Sequence, residues 1–361
     1  MDDTQHGHLL LADISGYTSF VATTELTHSQ EILTELLETI IEKFKPLLTI
    51  SKIEGDAVFA YVAETKIPRG EAILELIEST YIAFRSRQEA AHRRTTCTCN
   101  ACRNIPNLDL KFFSHHGDYF VQEIAGTKEL VGSDVNLIHR LTKNHLSEQT
   151  GWRAYAMFTE QSLHHLNLQL EGLHTSVENY EHLGDTNVLS MDMRLRYKEL
   201  MDARHVVVTP KEAHHIVEYD YNAPPSIIWE WFNDPHKRGQ WMTSEIIPII
   251  SVKGRSGTGG RNHCVHGDNQ VIVEDVLDMR PYDYFTVVHI PQGTSSKLFM
   301  TFEFRPIDNN KTHLRLLFKA TAAHMPQWLE KSFCKFVLRM QLFKLWKLES
   351  INDLMANNTE L

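Results

Sequence analysis

The stretch Lys52-Ile53-Glu54-Gly55-Asp56 constrains this chain most. It stands between two apolar runs, residues 47–50 and 57–62. A Gly-Asp pair in that position reads as a hairpin turn between two buried strands. The turn would hold the Asp56 carboxylate rigidly at the end of a sheet. A second acid, Asp13, ends the apolar run 9–12 and is followed by Ile14-Ser15-Gly16-Tyr17-Thr18. Two carboxylates brought from two strand ends can clamp a hard divalent cation such as Mg²⁺, which takes few protein ligands besides phosphate oxygens. Either acid alone reads more readily as a turn residue than as a metal ligand.

A chain of 361 residues implies two domains. Its net charge of −10 argues against general nucleic-acid binding, which needs clustered Lys and Arg to neutralise phosphates. No apolar run is long enough for a transmembrane helix. The opening Met1-Asp2-Asp3-Thr4-Gln5-His6 lacks a signal-peptide pattern, so a cytoplasmic protein is the expectation. The odd count of 5 cysteines does not suggest a disulfide framework. The 21 histidines are scattered, and the pairs 164–165 and 214–215 read as solvated or hydrogen-bonding residues.

In the first half, Ile32, Leu33, Leu36, Leu37, Ile40, Ile41, Phe44 and Leu48 recur at helical spacing, predicting a helix over 29–48 that covers a sheet. A second helix is predicted over 71–92. It leads into Cys97-Thr98-Cys99-Asn100-Ala101-Cys102. Three thiolates at this spacing can hold zinc with a fourth ligand from elsewhere, His92 and His115 being the nearest candidates. The alternative is three reduced, half-buried thiols. A strand is predicted over 108–114 and a helix over 135–146. On that helix Asn136 and Arg140, four residues apart, share one face and can both reach one developing anion; a solvated face is the competing reading.

Leu11-Ala12-Asp13-Ile14-Ser15-Gly16-Tyr17-Thr18, Lys52-Ile53-Glu54-Gly55-Asp56, His116-Gly117 and Gly132-x-x-Val135-Asn136-x-x-x-Arg140-Leu141 stand in one order. In that order they resemble the class III nucleotide cyclase catalytic domain, over about residues 6–192. The resemblance implies a ferredoxin-like α+β fold working as a head-to-tail homodimer. It implies that Asp13, Asp56 and the Ile14 carbonyl hold Mg²⁺ or Mn²⁺. Gly16, Tyr17 and Thr18 would contact the nucleotide, and Lys52 and Glu129 would read the purine. Asn136 would orient the ribose, and Arg140 would stabilise charge at the α-phosphate. Glu129 stands where adenylate-specific members more often carry Asp. The family's later phosphate-binding Lys has no counterpart in His182-Leu183-Gly184-Asp185; Lys143 is a possible substitute.

A charged connector, 194–212, separates this domain, 1–193, from a second, 213–361. There the order is strand, helix, many strands and a long last helix over 326–354. Tyr221-Asn222-Ala223-Pro224-Pro225-x-x-Ile228-Trp229-x-Trp231-Phe232-Asn233-Asp234-Pro235, then Trp241, resembles the helix-grip fold of the START-like superfamily, also called SRPBCC. That resemblance implies an apolar cavity for a small molecule under the last helix, with Trp229, Phe232, Trp241 and Trp328 flanking it. Aromatics that simply fill a core are the alternative. The expectation is therefore a two-domain cyclase making a 3′,5′-cyclic monophosphate and pyrophosphate, with ATP the expected substrate and an apolar ligand regulating it. The rivals are a nucleotide-binding pseudo-cyclase and a small-molecule carrier with a degenerate cyclase domain.

Overall fold

The structure, a computed structural model, describes residues 4–67, 69–94, 99–124, 126–202, 207–242, 245–250, 257–266, 270–291, 297–321, 332 and 346–358. The chain divides into two compact units, Met1–Asp202 and Ala203–Leu361. Both mix helices with sheets. Among the described residues, no helix is long and apolar enough to cross a membrane.

The first unit runs β1 (Gln5–Ser15), α1 (Tyr17–Thr23), α2 (Leu26–Phe44), β2 (Thr49–Glu54), β3 (Ala57–Ala63), α3 (Glu71–Arg94) and α4 (Asn100–Asn104). It continues with β4 (Asp109–Ile124), β5 (Thr127–Val131), α5 (Ser133–Leu141), α6 (Leu146–Thr150), β6 (Tyr155–Thr159), α7 (Glu160–His165), β7 (His174–Tyr180), β8 (Gly184–Asp192) and α8 (Met193–Asp202). The sheet order is β2-β3-β1-β4-β6-β8-β7, with β5 on the far half of β4. Among the described residues of this unit only β4 and β6 pair in parallel; the other pairs are antiparallel.

Alternation sorts the strands' side chains between the two faces of the sheet. Leu9 and Leu11 of β1 join Ala57, Phe59, Phe113, Val135, Ile138 and Leu141 in one core cluster, beneath α5. Asp13 continues that odd-numbered set and so lies on the α5 face. Leu10, Ala12, Val58 and Ala60 alternate to the other face and are equally buried. The α2 stripe, with Leu36, Ile40 and Phe44 fully buried, forms as its spacing predicts.

Four local readings are corrected. Strand β2 is not buried: it is the sheet edge, and Ile53 is 53% exposed. The strand predicted over 108–114 runs on to Ile124, because its far half finds β5 as partner. No strand was expected between 114 and α5, yet Thr127–Val131 form strand β5. The helix predicted to reach 146 ends at Leu141. There Thr142 Oγ1 donates to the His139 carbonyl and Asn144 Nδ2 to the Leu141 carbonyl, at 2.8 and 2.7 Å. Such side-chain bonds compete with helix continuation.

The second unit is a seven-stranded antiparallel sheet. It comprises β9 (His215–Tyr221), α9 (Pro225–Asn233), α10 (Pro235–Met242), β10 (Glu245–Ile250), β11 (Arg261–His266), β12 (Gln270–Arg280), β13 (Tyr284–Pro291), β14 (Lys297–Asp308) and β15 (Lys311–Thr321). The order is β10-β11-β12-β13-β14-β15-β9. Trp229 packs edge-on against Phe285 and Phe304, and Phe232 lies 4.8 Å from Trp241 between ring centroids. Three of the four aromatics named from the sequence, Trp229, Phe232 and Trp241, are fully buried. Most of the stretch predicted as a long last helix over 326–354, including Trp328, lies outside the described residues; within them Trp346 and Lys347 are not helical, and after a single 3-10 turn at Leu348–Ser350 a separate helix runs over Ile351–Asn358.

Candidate functional site

Asp13 and Asp56 meet through the β1–β3 pairing, in which Asp13 stands opposite Ala57. The Ile14 N–H donates to the Asp56 carbonyl at 3.1 Å and ties the hairpin turn to β1. Gly55 makes that turn with φ 64°, a left-handed conformation that favours glycine. Burial pushes the Asp13 carboxyl up to about 6, and the Asp56 charge adds to the rise. Burial raises Asp56 as well, against the pull of its own backbone N–H and of Lys143. Two acids so placed destabilise each other's ionised form.

Two lysines share this corner. Lys111 on β4 is the cross-strand partner of Asp13, and its ammonium lies 5.2 Å from the centre of the Tyr155 ring. Burial lowers its pKa, and Asp13 opposes that. Lys143, just past α5, lies within electrostatic reach of both acids. Neither position is marked by a motif; Lys143 entered the sequence reading only as a substitute cation.

A divalent ion would offset both the desolvation and the repulsion of the acid pair. All-oxygen donors of this kind are those that Mg²⁺ and Mn²⁺ take, so the residues fit the metal. Gly16 follows at the start of α1 with φ 88°, and a Cβ there would come within 3.0 Å of the Asn107 carbonyl oxygen. Tyr17 is half-buried and Thr18 is exposed.

A second group forms where β2, β5 and α5 approach. The Lys52 ammonium lies 2.8 Å from Glu54 and 3.8 Å from Glu129. His139 Nδ1 reaches the other oxygen of Glu54 at 3.2 Å. Lys52 and Glu129, named from the sequence as purine readers, are thus brought together, and Glu54 and His139 join them unforeseen. On the same helix Asn136 and Arg140 are exposed. Among the described residues their side chains make no hydrogen bond or ion pair. Nor does any such bond join Asp13 or Asp56 to Lys52, Glu129, Asn136 or Arg140 within one chain.

The start of α5 is held by a contact that sequence reasoning missed. Asp134 Oδ2 accepts the Asp118 N–H at 2.7 Å, and Oδ1 lies 3.2 Å from Nε2 of buried His115. His115 Nδ1 is 2.8 Å from Thr159 Oγ1. The bond to His115 holds the Asp134 carboxyl below its usual range. A Cβ on Gly117 would collide with the Asp134 carboxylate. The glycine of the His116-Gly117 pair therefore admits the acid that fixes α5. His116 itself is even-numbered like Leu10's cross-strand neighbours and faces away from Asp13, toward His8, His165 and Glu64.

At the cysteine cluster, the candidate fourth ligand His115 is thus engaged elsewhere. The side chain of His92 and all of Cys97 lie outside the described residues. The histidine brought to the cluster is His28, whose Nδ1 lies 3.2 Å from Cys99 Sγ.

Solved structures similar to about half of this chain include nucleotide cyclases. A guanylyl cyclase matches with TM-score 0.41 and 13% identity, covering 52% of this chain and 92% of that one. The adenylyl cyclase CyaB from P. aeruginosa matches with TM-score 0.40 and 15% identity, covering 52% and 96%. A bacterial light-regulated adenylyl cyclase matches with TM-score 0.39 and 12% identity, covering 52% and 51%. In sequence, a family model described as a protein of unknown function, DUF2652, matches residues 33–150. An uncharacterized protein of Mycobacterium tuberculosis (strain ATCC 25618 / H37Rv) is 28% identical over 165 residues, 45% of this chain and 73% of that protein.

Proposed function

We propose that the first unit is a class III-type nucleotide cyclase that acts as a homodimer with two composite sites, ATP being the expected substrate. The observation that carries this reading is the meeting of Lys52 with Glu129 beside a helix whose Asn136 and Arg140 have no partners of their own among the described residues. The acid pair Asp13 and Asp56 stands apart from them in the same chain, and a second copy would complete each site.

In this scheme Asp13, Asp56 and the Ile14 carbonyl would hold Mg²⁺ or Mn²⁺. The ion would supply Lewis acidity toward the ribose 3′-hydroxyl and charge neutralisation at the phosphates. The remaining work belongs to side chains. Lys52 donates to a purine ring nitrogen, and Glu129 accepts from the adenine amino group. Asn136 holds the ribose so that its 3′ oxygen lies in line with the α-phosphorus. Arg140 stabilises the charge that grows as the 3′ oxygen–phosphorus bond forms and the bond to pyrophosphate breaks. Lys143, beside the acids, is placed to meet the departing pyrophosphate. The Glu54 carboxylate competes with the base for Lys52, so nucleotide entry requires Lys52 to exchange partners.

One observation favours a second reading, a nucleotide-binding regulator without turnover. The β7–β8 hairpin carries His182 and no lysine where the resemblance places a phosphate ligand. Pure protein with Mn²⁺ and each of the four nucleoside triphosphates separates the two. Cyclic product by mass spectrometry supports the enzyme; nucleotide binding without product supports the regulator. The second unit, in this proposal, is a helix-grip module that takes an apolar ligand and biases the dimer, the support being its sequence resemblance.

A further inference from the structure

The cysteine cluster plays no part in the proposed chemistry, yet it is built from distant parts of the chain. His28 stands in the first turn of α2; Cys99 is the N-cap residue of α4, and Cys102 lies within it. Their ligand atoms all lie within 4.8 Å of one another. Around a tetrahedral zinc with ordinary Zn–S and Zn–N bonds, neighbouring ligand atoms sit about 3.5–3.8 Å apart. The 3.2 Å between His28 Nδ1 and Cys99 Sγ is shorter than that spacing by about 0.3 Å, so the two atoms need part only slightly to take an ion between them. The Cys102 N–H also donates to Cys99 Sγ at 3.4 Å, the kind of backbone bond that stabilises a thiolate.

A second contact holds the same two elements. The Glu25 carboxylate, one residue before α2, accepts the Asn100 and Ala101 N–H groups at 3.1 and 3.0 Å. It caps α4, as acidic groups at helix starts do. Glu25 and His28 therefore meet the start of α4 together, so the cluster is a fixed junction and not three thiols that happen to be near in sequence.

We propose that His28, Cys99 and Cys102 supply three of the four ligands of a structural zinc ion that fastens the start of α2 to α4. The ligands come from segments separated by β2, β3 and α3, so the ion closes a long loop, the situation in which a cross-link constrains the unfolded chain most. It also braces α1, which connects the Asp13 end of β1 to α2. Soft thiolates with one imidazole select zinc over the hard ions suited to the acid pair. This site does not depend on the cyclase reading, and its test does not use activity.

Full-length protein, purified in reducing buffer without added metal, should carry one zinc per chain by elemental analysis. Replacing the zinc with cobalt should give an intense thiolate-to-cobalt charge-transfer band in the near ultraviolet. His28→Ala, Cys99→Ser and Cys102→Ser should each lower zinc content at least tenfold. His116→Ala, in the separate histidine cluster with Glu64 and His165, should retain it. Wild type without zinc would overturn the proposal, as would a cobalt spectrum lacking the thiolate band. So would zinc that survives Cys99→Ser but leaves with His116→Ala. The cobalt spectrum is read on wild type, so it stands even if a variant does not fold.

Discussion

At the scale of single residues, the acid pair was legible because each acid borders an apolar run, Asp13 following 9–12 and Asp56 preceding 57–62, and a run of that kind has few places to go but a strand. Asp56→Asn is expected to abolish turnover and leave the thermal unfolding midpoint within a few degrees. The residue sits half-exposed in a turn, so its charge acts on chemistry more than on packing. Near-normal Mn²⁺-dependent activity in that variant would remove Asp56 from the site. His8 was not legible as a titrating group, because its burial depends on the partners β4 and α7 bring. Burial drives it from an ordinary 6.5 down to about 4, with His116 and His165 adding to the fall. The sign follows from linkage: below pH 6.5 the unfolded chain takes up a proton that the folded one refuses. The stabilisation from neutral His8 is full above 6.5 and is lost as pH falls through the interval to 4, about 3 kcal/mol in all. Urea unfolding of the first unit's signal should show that loss in wild type and a flatter pH response in His8→Gln. Equal slopes would clear His8 of the effect.

At the scale of elements, helix α5 was readable from its apolar period, and its anchor was not. Asp134 looks like an ordinary acid in a first turn; that it reaches Asp118 and His115 depends on how β4 passes under the helix. The available signal was Gly117, a glycine inside a strand, which often marks a close approach. Gly117→Ala displaces the carboxylate, and Asp134→Ala removes it, so each should cost about 1–2 kcal/mol and the double variant little more than either. Fully additive losses would mean that the two residues do not share one contact. The edge position of β2 was hidden for a related reason. Its residues alternate enough to read as a strand, but which strand ends a sheet is decided by pairing, and Ile53 stays exposed despite its hydrophobicity.

At the scale of the whole molecule, two units follow from length and from the charged stretch at 194–212. The second unit's order of a strand, a helix and then many strands was expected from the sequence, and its described residues follow that order. Its interior was not legible, because it includes a buried charged group. Arg238 pairs with Glu274 through two bonds, one of them 2.8 Å, while His289 and Asn262 bond the same carboxylate at 2.7 and 2.9 Å. Charged residues on strands and helices ordinarily read as exposed, and only the partner makes burial tolerable.

The central claim is that one catalytic site takes its acids from one chain and its Asn136 and Arg140 from another. Asp56→Ala and Arg140→Ala, each alone, are expected to be inactive. Co-expression puts both lesions into one site of a mixed dimer and leaves the other intact. With random pairing, about half the dimers are mixed, each with one good site of two, so roughly a quarter of wild-type activity should return. No recovery from dimers demonstrated to be mixed, with wild type active, would contradict the shared site.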